Sequence, residues 1–199
     1  VSVMPGILAS IYLNGNEKGN VLDTINDTVK RLNKMERQPG RMHPLYGIKN
    51  TLIIDDTYNS SPKALENGLE TLREIGTKYR RIAVLADMKE LGHRSEEEHY
   101  RVGRIIPSSA NVLITYGKES KHIARGASDA GLREGFILEC DTQDQVVKEL
   151  KQIMKPGDIV YVKGSQSMRM EKVVKEILDK RSHKVEDTLV RQDKEWERR

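Results

Sequence analysis

Disulfide chemistry is excluded by count: the 199 residues include one cysteine, Cys140, too few for an internal bridge or a cysteine-built zinc cluster. Histidine offers no metal centre either. The five His residues stand at 43, 93, 99, 122 and 183, with no pair at ligand spacing. They are expected on the surface, His93 and His99 nearest a loop edge, and the expected metal-ligand set within this chain is none. One Phe and one Trp leave the core to Ile, Val and Leu. No run approaches the ~20 apolar residues of a membrane span, and no basic-then-apolar leader opens the chain. No membrane insertion and a cytoplasmic location are therefore expected. A strong charge of one sign is also lacking. With 34 basic and 30 acidic residues interspersed, the net charge is +4, which suits a polyphosphate ligand but gives no dedicated nucleic-acid surface.

Glycine-rich phosphate loops are missing as well. Tyr116-Gly117-Lys118-Glu119-Ser120 contains Gly-Lys but lacks both the earlier Gly and the hydroxyl residue beside Lys that a P-loop uses. No Gly-x-Gly-x-x-Gly is present, so a nicotinamide dinucleotide has little support. No Ser-His-Asp or Cys-His arrangement can be argued from the separated single residues. The chain opens at Val1 without an initiator Met, so either its N-terminus was removed or it is a piece of something longer.

What is present is a regular alternation. Two helices are predicted over 7–13 and 21–35, and Gln38-Pro39-Gly40-Arg41 then breaks the pattern like a boundary. Short, unalternated apolar runs at 52–55, 81–86, 111–116, 135–139 and 158–163 read as strands buried on both faces. Helical patterns fall between and after them, at 63–75, 96–106, 120–130, 143–154 and 168–178. Ser95 to Glu98 and Thr142 to Gln145 have capping-box spacing. The fold class is therefore α/β, a mainly parallel sheet flanked by helices. The sheet pattern is complete by Lys163 and its last helix by Leu178. Beyond it comes a charge-rich helical tail, whose Val185, Leu189 and Trp196 would share a face and either dock on the domain or fray.

The chemistry-bearing residues gather where strands hand over to helices. Asp55-Asp56-Thr57-Tyr58-Asn59-Ser60-Ser61-Pro62 follows the first predicted strand, and such turns lie at the ligand-binding edge of a doubly wound sheet. Ser60 or Ser61 can cap the next helix, with Pro62 in its first turn. The same residues equally suit a capped turn whose acids face solvent. Val162-Lys163-Gly164-Ser165-Gln166-Ser167 ends the last predicted strand. It is either a cradle for a carboxylate or phosphate, built from backbone N–H groups, Lys163 and hydroxyls, or an ordinary glycine turn. In Leu85-Ala86-Asp87-Met88-Lys89-Glu90-Leu91-Gly92, Asp87 and Glu90 could hold an ammonium group or lie in solvent.

Taken in order, these segments resemble the C-terminal part of the Mur ligases. The resemblance rests on Pro39-Gly40-Arg41-Met42, the Asp55 to Pro62 run, Ala83 to Gly92, and Gly157 to Ser165. Ala86 and Ser61 depart from the Gly and Asn usual in those motifs. The resemblance implies a Rossmann-like domain over 39–180, closing on ATP held by a central domain. It assigns 1–38 to the closing helices of that central domain and leaves 181–199 as a charged helical tail. It further implies an ATP-dependent ligase in which a substrate carboxylate becomes an acyl phosphate that an amine attacks. The implied reaction adds D-alanyl-D-alanine to a UDP-N-acetylmuramoyl tripeptide in peptidoglycan precursor synthesis. Arg41 would be catalytic at the nucleotide phosphates; Asp56, Tyr58 and Asn59 would contact the nucleotide. Asp87, Lys163, Gly164 and Ser165 would face the incoming dipeptide. The P-loop and the Mg2+ ligands would belong to N-terminal and central domains supplied in cis or trans, without which the chain is expected to be inactive. The alternative is a non-catalytic module of the same fold that recognises nucleotide or peptide, or serves interaction.

Overall fold

The structure, a computed structural model, describes residues 38–75 and 78–197. The two helices expected before residue 38 lie outside the described residues. Two strands open the described part: β1 (His43–Gly47) and β2 (Thr51–Asp56), joined by a short turn and paired antiparallel. There follow α1 (Pro62–Glu74), β3 (Arg81–Ala86), α2 (Ser95–Gly103), α3 (Ile106–Ser109), β4 (Val112–Tyr116) and α4 (Lys121–Asp129). β5 (Ile137–Cys140), α5 (Gln143–Ile153), β6 (Ile159–Lys163) and α6 (Glu171–Ile177) complete the layered part.

The sheet order is β1-β2-β6-β3-β4-β5, with every pair parallel except β1–β2. All residues of β2, β3 and β6 are buried, as central strands covered on both faces require. α1, α2 and α4 cover one face through Leu65, Leu69, Leu72, Val102 and Ile123. α5 and α6 cover the other through Val146, Leu150, Val173, Val174 and Ile177. Each such side chain contributes about 1.5–3 kcal/mol by leaving water. The chain leaves β2 and β3 toward one face and leaves β6, which lies between them, toward the other. Crevices therefore open at the carboxyl ends on both sides of β6.

The α/β expectation holds, and β3 falls on its predicted residues. The edge strand β1 is an addition. Its sequence, His-Pro-Leu-Tyr-Gly, argues against a strand, yet Pro44 is tolerated because one side of an edge strand needs no ladder bond. Residues after α6 cover that side: Asp179 N–H donates to Tyr46 O (2.9 Å), and Tyr46 N–H donates to His183 Nε2 (2.9 Å). His183 is thus half-buried rather than a surface residue, and burial lowers its pKa.

Local signals fare unevenly. Thr142 and Gln145 form the expected capping box. Ser95 does not; it lies inside α2, and its hydroxyl donates to Glu119 Oε2 (2.8 Å) instead. The helix expected to run to residue 106 stops at Gly103, because Pro107 cannot donate back into it and starts a separate turn. The tail docks, but not as one helix. It forms two single turns, α7 (Val185–Thr188) and α8 (Lys194–Glu197), with Leu189 between them 3% exposed in the core. The core is therefore not complete at Leu178.

Candidate functional site

Successive strand residues point to opposite faces, so the two acids ending β2 have different surroundings. Asp56 shares the α1 face with Tyr161 and Lys163 of β6, and the register sets Asp56 opposite Lys163. Lys163 Nζ donates to Asp56 Oδ2 (2.6 Å) and to Asn59 O (2.9 Å). The Tyr161 hydroxyl donates to the same Oδ2 (3.0 Å), and Met42 N–H to Oδ1 (3.1 Å). One buried carboxylate thus ties β2, β6 and the 40–42 segment together. Burial and the Asp56 charge push the Tyr161 pKa well above its ordinary value, which keeps the hydroxyl a donor. Gly68 of α1 makes room for it, since a Cβ there would collide with the Tyr161 ring and hydroxyl.

Asp55 turns to the other face and is fully buried. Its Oδ1 accepts from Thr57 Oγ1 (2.6 Å) and Thr57 N–H (3.2 Å), while Oδ2 has no hydrogen-bond partner. Burial, with the Asp56 and Glu171 charges adding, pushes its pKa up to about 6.

At the end of β3, Asp87 is 1% exposed. Its carboxylate pairs with Lys89 (2.8 Å) and accepts from Ser120 N–H (2.8 Å). Lys89 N–H donates to Ser165 Oγ (2.8 Å), and Ser165 N–H to Asp87 O (3.1 Å), which stitches the β3 and β6 loops together. His99, fully buried in α2, accepts from Met88 N–H at Nε2 (2.9 Å), so the proton sits on Nδ1, facing Ser95 O (2.7 Å). Burial lowers its pKa. His99 is a buried anchor of the Asp87 loop, not a surface residue. Gly164 is fixed by packing: a Cβ would lie 2.8 Å from both Ala86 and Met170. The Ala86 that departs from the family pattern is thus accommodated against a glycine.

The sequence-predicted residues therefore sort into two groups. Asp56, Asp87, Lys163 and Ser165 are largely committed to one another or to neighbouring backbone and hold the loops in place. Arg41, Tyr58 and Asn59 are exposed. The Arg41 guanidinium lies 4.1 Å from the Tyr58 ring centroid, and no ion pair to it is seen among the described residues. An exposed cation over an aromatic platform at the mouth of the β2–β6 crevice can receive an anionic, ring-bearing ligand. Beyond Ser61 and Lys63, a groove of about 440 Å³ runs to Glu90 and Arg94. Among the described residues no group of three or more His, Cys, Asp or Glu is placed to hold a metal ion. No helix among them is long and apolar enough to cross a membrane.

Tyr161, Lys89 and Arg191, whose guanidinium donates to Thr57 O (3.2 Å) and to Tyr58 O, matter to this site but do not stand out in the sequence. Tyr161 could have been found, since it lies two residues before Lys163 on the same strand face. Arg191 carries no such signal.

Comparison with known proteins gives one family match, "Mur ligase, glutamate ligase domain", over residues 40–166. The chain is similar to the UDP-N-acetylmuramoyl-tripeptide–D-alanyl-D-alanine ligase of Haemophilus influenzae, 32% identical over 164 residues, covering 81% of this chain and 35% of the relative. The ligase of that name from Bacillus subtilis is 27% identical over 154 residues, covering 77% of this chain and 34% of the relative. The crystal structure of the MurF ligase of Thermotoga maritima in complex with ADP superposes with a TM-score of 0.60 at 30% identity, covering 74% of this chain and 32% of that one. The chain thus spans about a third of the length of the relatives it matches.

Proposed function

This chain belongs to the Mur ligase family, and from that premise we propose that it is the C-terminal, closing part of an ATP-dependent amide-forming ligase. The reaction would join D-alanyl-D-alanine to a UDP-N-acetylmuramoyl tripeptide in cytoplasmic peptidoglycan precursor synthesis. One observation carries the proposal: the exposed Arg41–Tyr58 platform at the β2–β6 crevice, in a fold whose Thermotoga neighbour was crystallised with ADP.

In this scheme residues 1–38 belong to the central domain, 39–180 form the closing domain and 181–199 the tail. The tripeptide carboxylate attacks the γ-phosphorus of ATP, giving an acyl phosphate and ADP. The dipeptide amine then attacks the acyl carbon and phosphate leaves. Arg41 meets the charge that develops on the transferred phosphoryl group. Tyr58 and Asn59 contact the nucleotide, with Asp56 holding their loop through Lys163. Asp87, Lys163, Gly164 and Ser165 shape the loops that face the dipeptide. Magnesium ligands are expected from the central domain.

The test is to join this chain to its P-loop-bearing domains and follow ADP release. Release that requires ATP, the UDP-linked tripeptide and D-alanyl-D-alanine together is expected. No ADP from a folded assembly sinks the proposal, and nucleotide retention without ADP formation would favour the non-catalytic module.

A further inference from the structure

The last described segment, residues 179–197, packs onto the loop that carries Tyr58, and the contact is made by a buried arginine. The Arg191 side chain is 5% exposed. Its Nη1 donates to Thr57 O (3.2 Å) and to Glu171 Oε2 (3.2 Å), and its Nη2 donates to Tyr58 O. Glu171 is itself fully buried and already paired with Arg169 Nε (2.5 Å). Arg169 alone would neutralise that carboxylate. The second guanidinium adds what Arg169 does not: donors aimed at two consecutive carbonyls of the β2–α1 loop.

The same peptide is gripped from its other side. Tyr58 N–H donates to Gly40 O (2.9 Å). Val190, beside Arg191, presses on Gly40, where a Cβ would lie 3.1 Å from Val190 Cγ1 and 3.0 Å from Tyr58 N. The tail is fixed in turn by Leu189, 3% exposed, and by Arg169, whose Nη1 donates to Trp196 O (2.9 Å) while its guanidinium lies 5.2 Å from the Trp196 ring centroid. Tyr58 therefore has its backbone clamped between the 40–42 segment and the tail. The residue is left 46% exposed, its ring beneath Arg41 at 4.1 Å, with Arg191 at 5.7 Å.

We propose that Arg191 is a positioning residue for the nucleotide wall, fixing the Tyr58 backbone so that the Tyr58 ring and Arg41 are presented together. The proposal rests on the ligase function above for what the wall receives; the clamp itself stands on the contacts just given. If Arg191 served only to dock the tail, its loss would loosen the tail and lower overall stability while leaving Tyr58 held by Gly40.

Two measurements on Arg191→Met and Arg191→Lys separate these cases. In the 199-residue chain, hydrogen exchange at the Tyr58 amide should accelerate on the order of ten- to a hundredfold in Arg191→Met, the range for losing charge-assisted bonds. Amides of β3 and β6 should keep their rates. In the assembled ligase, Arg191→Met should raise KM for ATP roughly tenfold and leave KM for D-alanyl-D-alanine unchanged. Arg191→Lys should recover part of both effects, because an ammonium keeps the Glu171 pair but cannot span both carbonyls. Unchanged exchange at Tyr58, or acceleration there only in step with the whole sheet, overturns the positioning role. A wild-type assembly that makes no ADP removes the ligase function instead, and the exchange measurement still decides whether Arg191 positions Tyr58.

Discussion

Replacing Lys163 by Met tests whether this lysine holds the fold or waits for a ligand. Its side chain is 3% exposed, and its ammonium is shared between the Asp56 carboxylate at 2.6 Å and Asn59 O at 2.9 Å. Removing one partner of a buried ion pair leaves the other charge uncompensated, which costs about 3–5 kcal/mol. Asp56 would keep the Tyr161 hydroxyl and Met42 N–H and is 12% exposed, so the lower end, about 3 kcal/mol, applies. With a urea slope on the order of 2 kcal/mol/M, the midpoint should fall by about 1.5 M at unchanged slope. Adding Asp56→Asn to Lys163→Met should cost less than the two single changes summed, by about 1–3 kcal/mol. Equilibrium urea unfolding of the four proteins gives all these values. A loss below about 1 kcal/mol for Lys163→Met would refute the buried pair and return Lys163 to the ligand-facing set.

Two further outcomes follow from the same geometry. Asp55, held at about 6 instead of 3.8, contributes stability that is intact below pH 3.8 and lost as pH rises through 6, roughly 3 kcal/mol in all. Asp55→Asn keeps an acceptor for both Thr57 donors, so the difference in stability between variant and wild type should move in the variant's favour by that order from pH 4 to pH 7. Parallel pH dependences would contradict it. Gly68→Ala drives a methyl into the Tyr161 hydroxyl and should cost about 1–3 kcal/mol in thermal or urea unfolding. The cost should shrink in a Tyr161→Phe background and would be misassigned if it did not.

The sheet was readable because β2, β3 and β6 are buried on both faces, and such strands must be written as short apolar runs. β1 was not, since an edge strand accepts the Pro and Gly that signal breaks elsewhere. The site was readable as segments but not as roles. Asp56, Lys163 and Asp87 are polar residues at strand ends, which fits ligand contact and internal pairing equally well. Only the cross-strand register, Asp56 opposite Lys163, decides for pairing. Arg41 could be picked out by its motif, whereas its stacking on Tyr58 depends on contacts across 17 positions of sequence. Arg191 lies 133 residues from the carbonyl it holds at Tyr58, and no local pattern encodes such a contact.

Arg41 gives the most direct test of a ligase site closed by this domain. Single-turnover ADP formation by the assembled ligase should fall by about 10²–10³ in Arg41→Ala, the loss expected when one donor to a transition-state oxyanion is removed. Urea unfolding should stay within about 0.5 kcal/mol of wild type, as for an exposed residue. Arg41→Lys should recover only part of the rate, since an ammonium lacks the planar fork. Near-normal turnover in Arg41→Ala, with the fold intact, would place Arg41 outside the reacting site and contradict the closing-wall role of this domain.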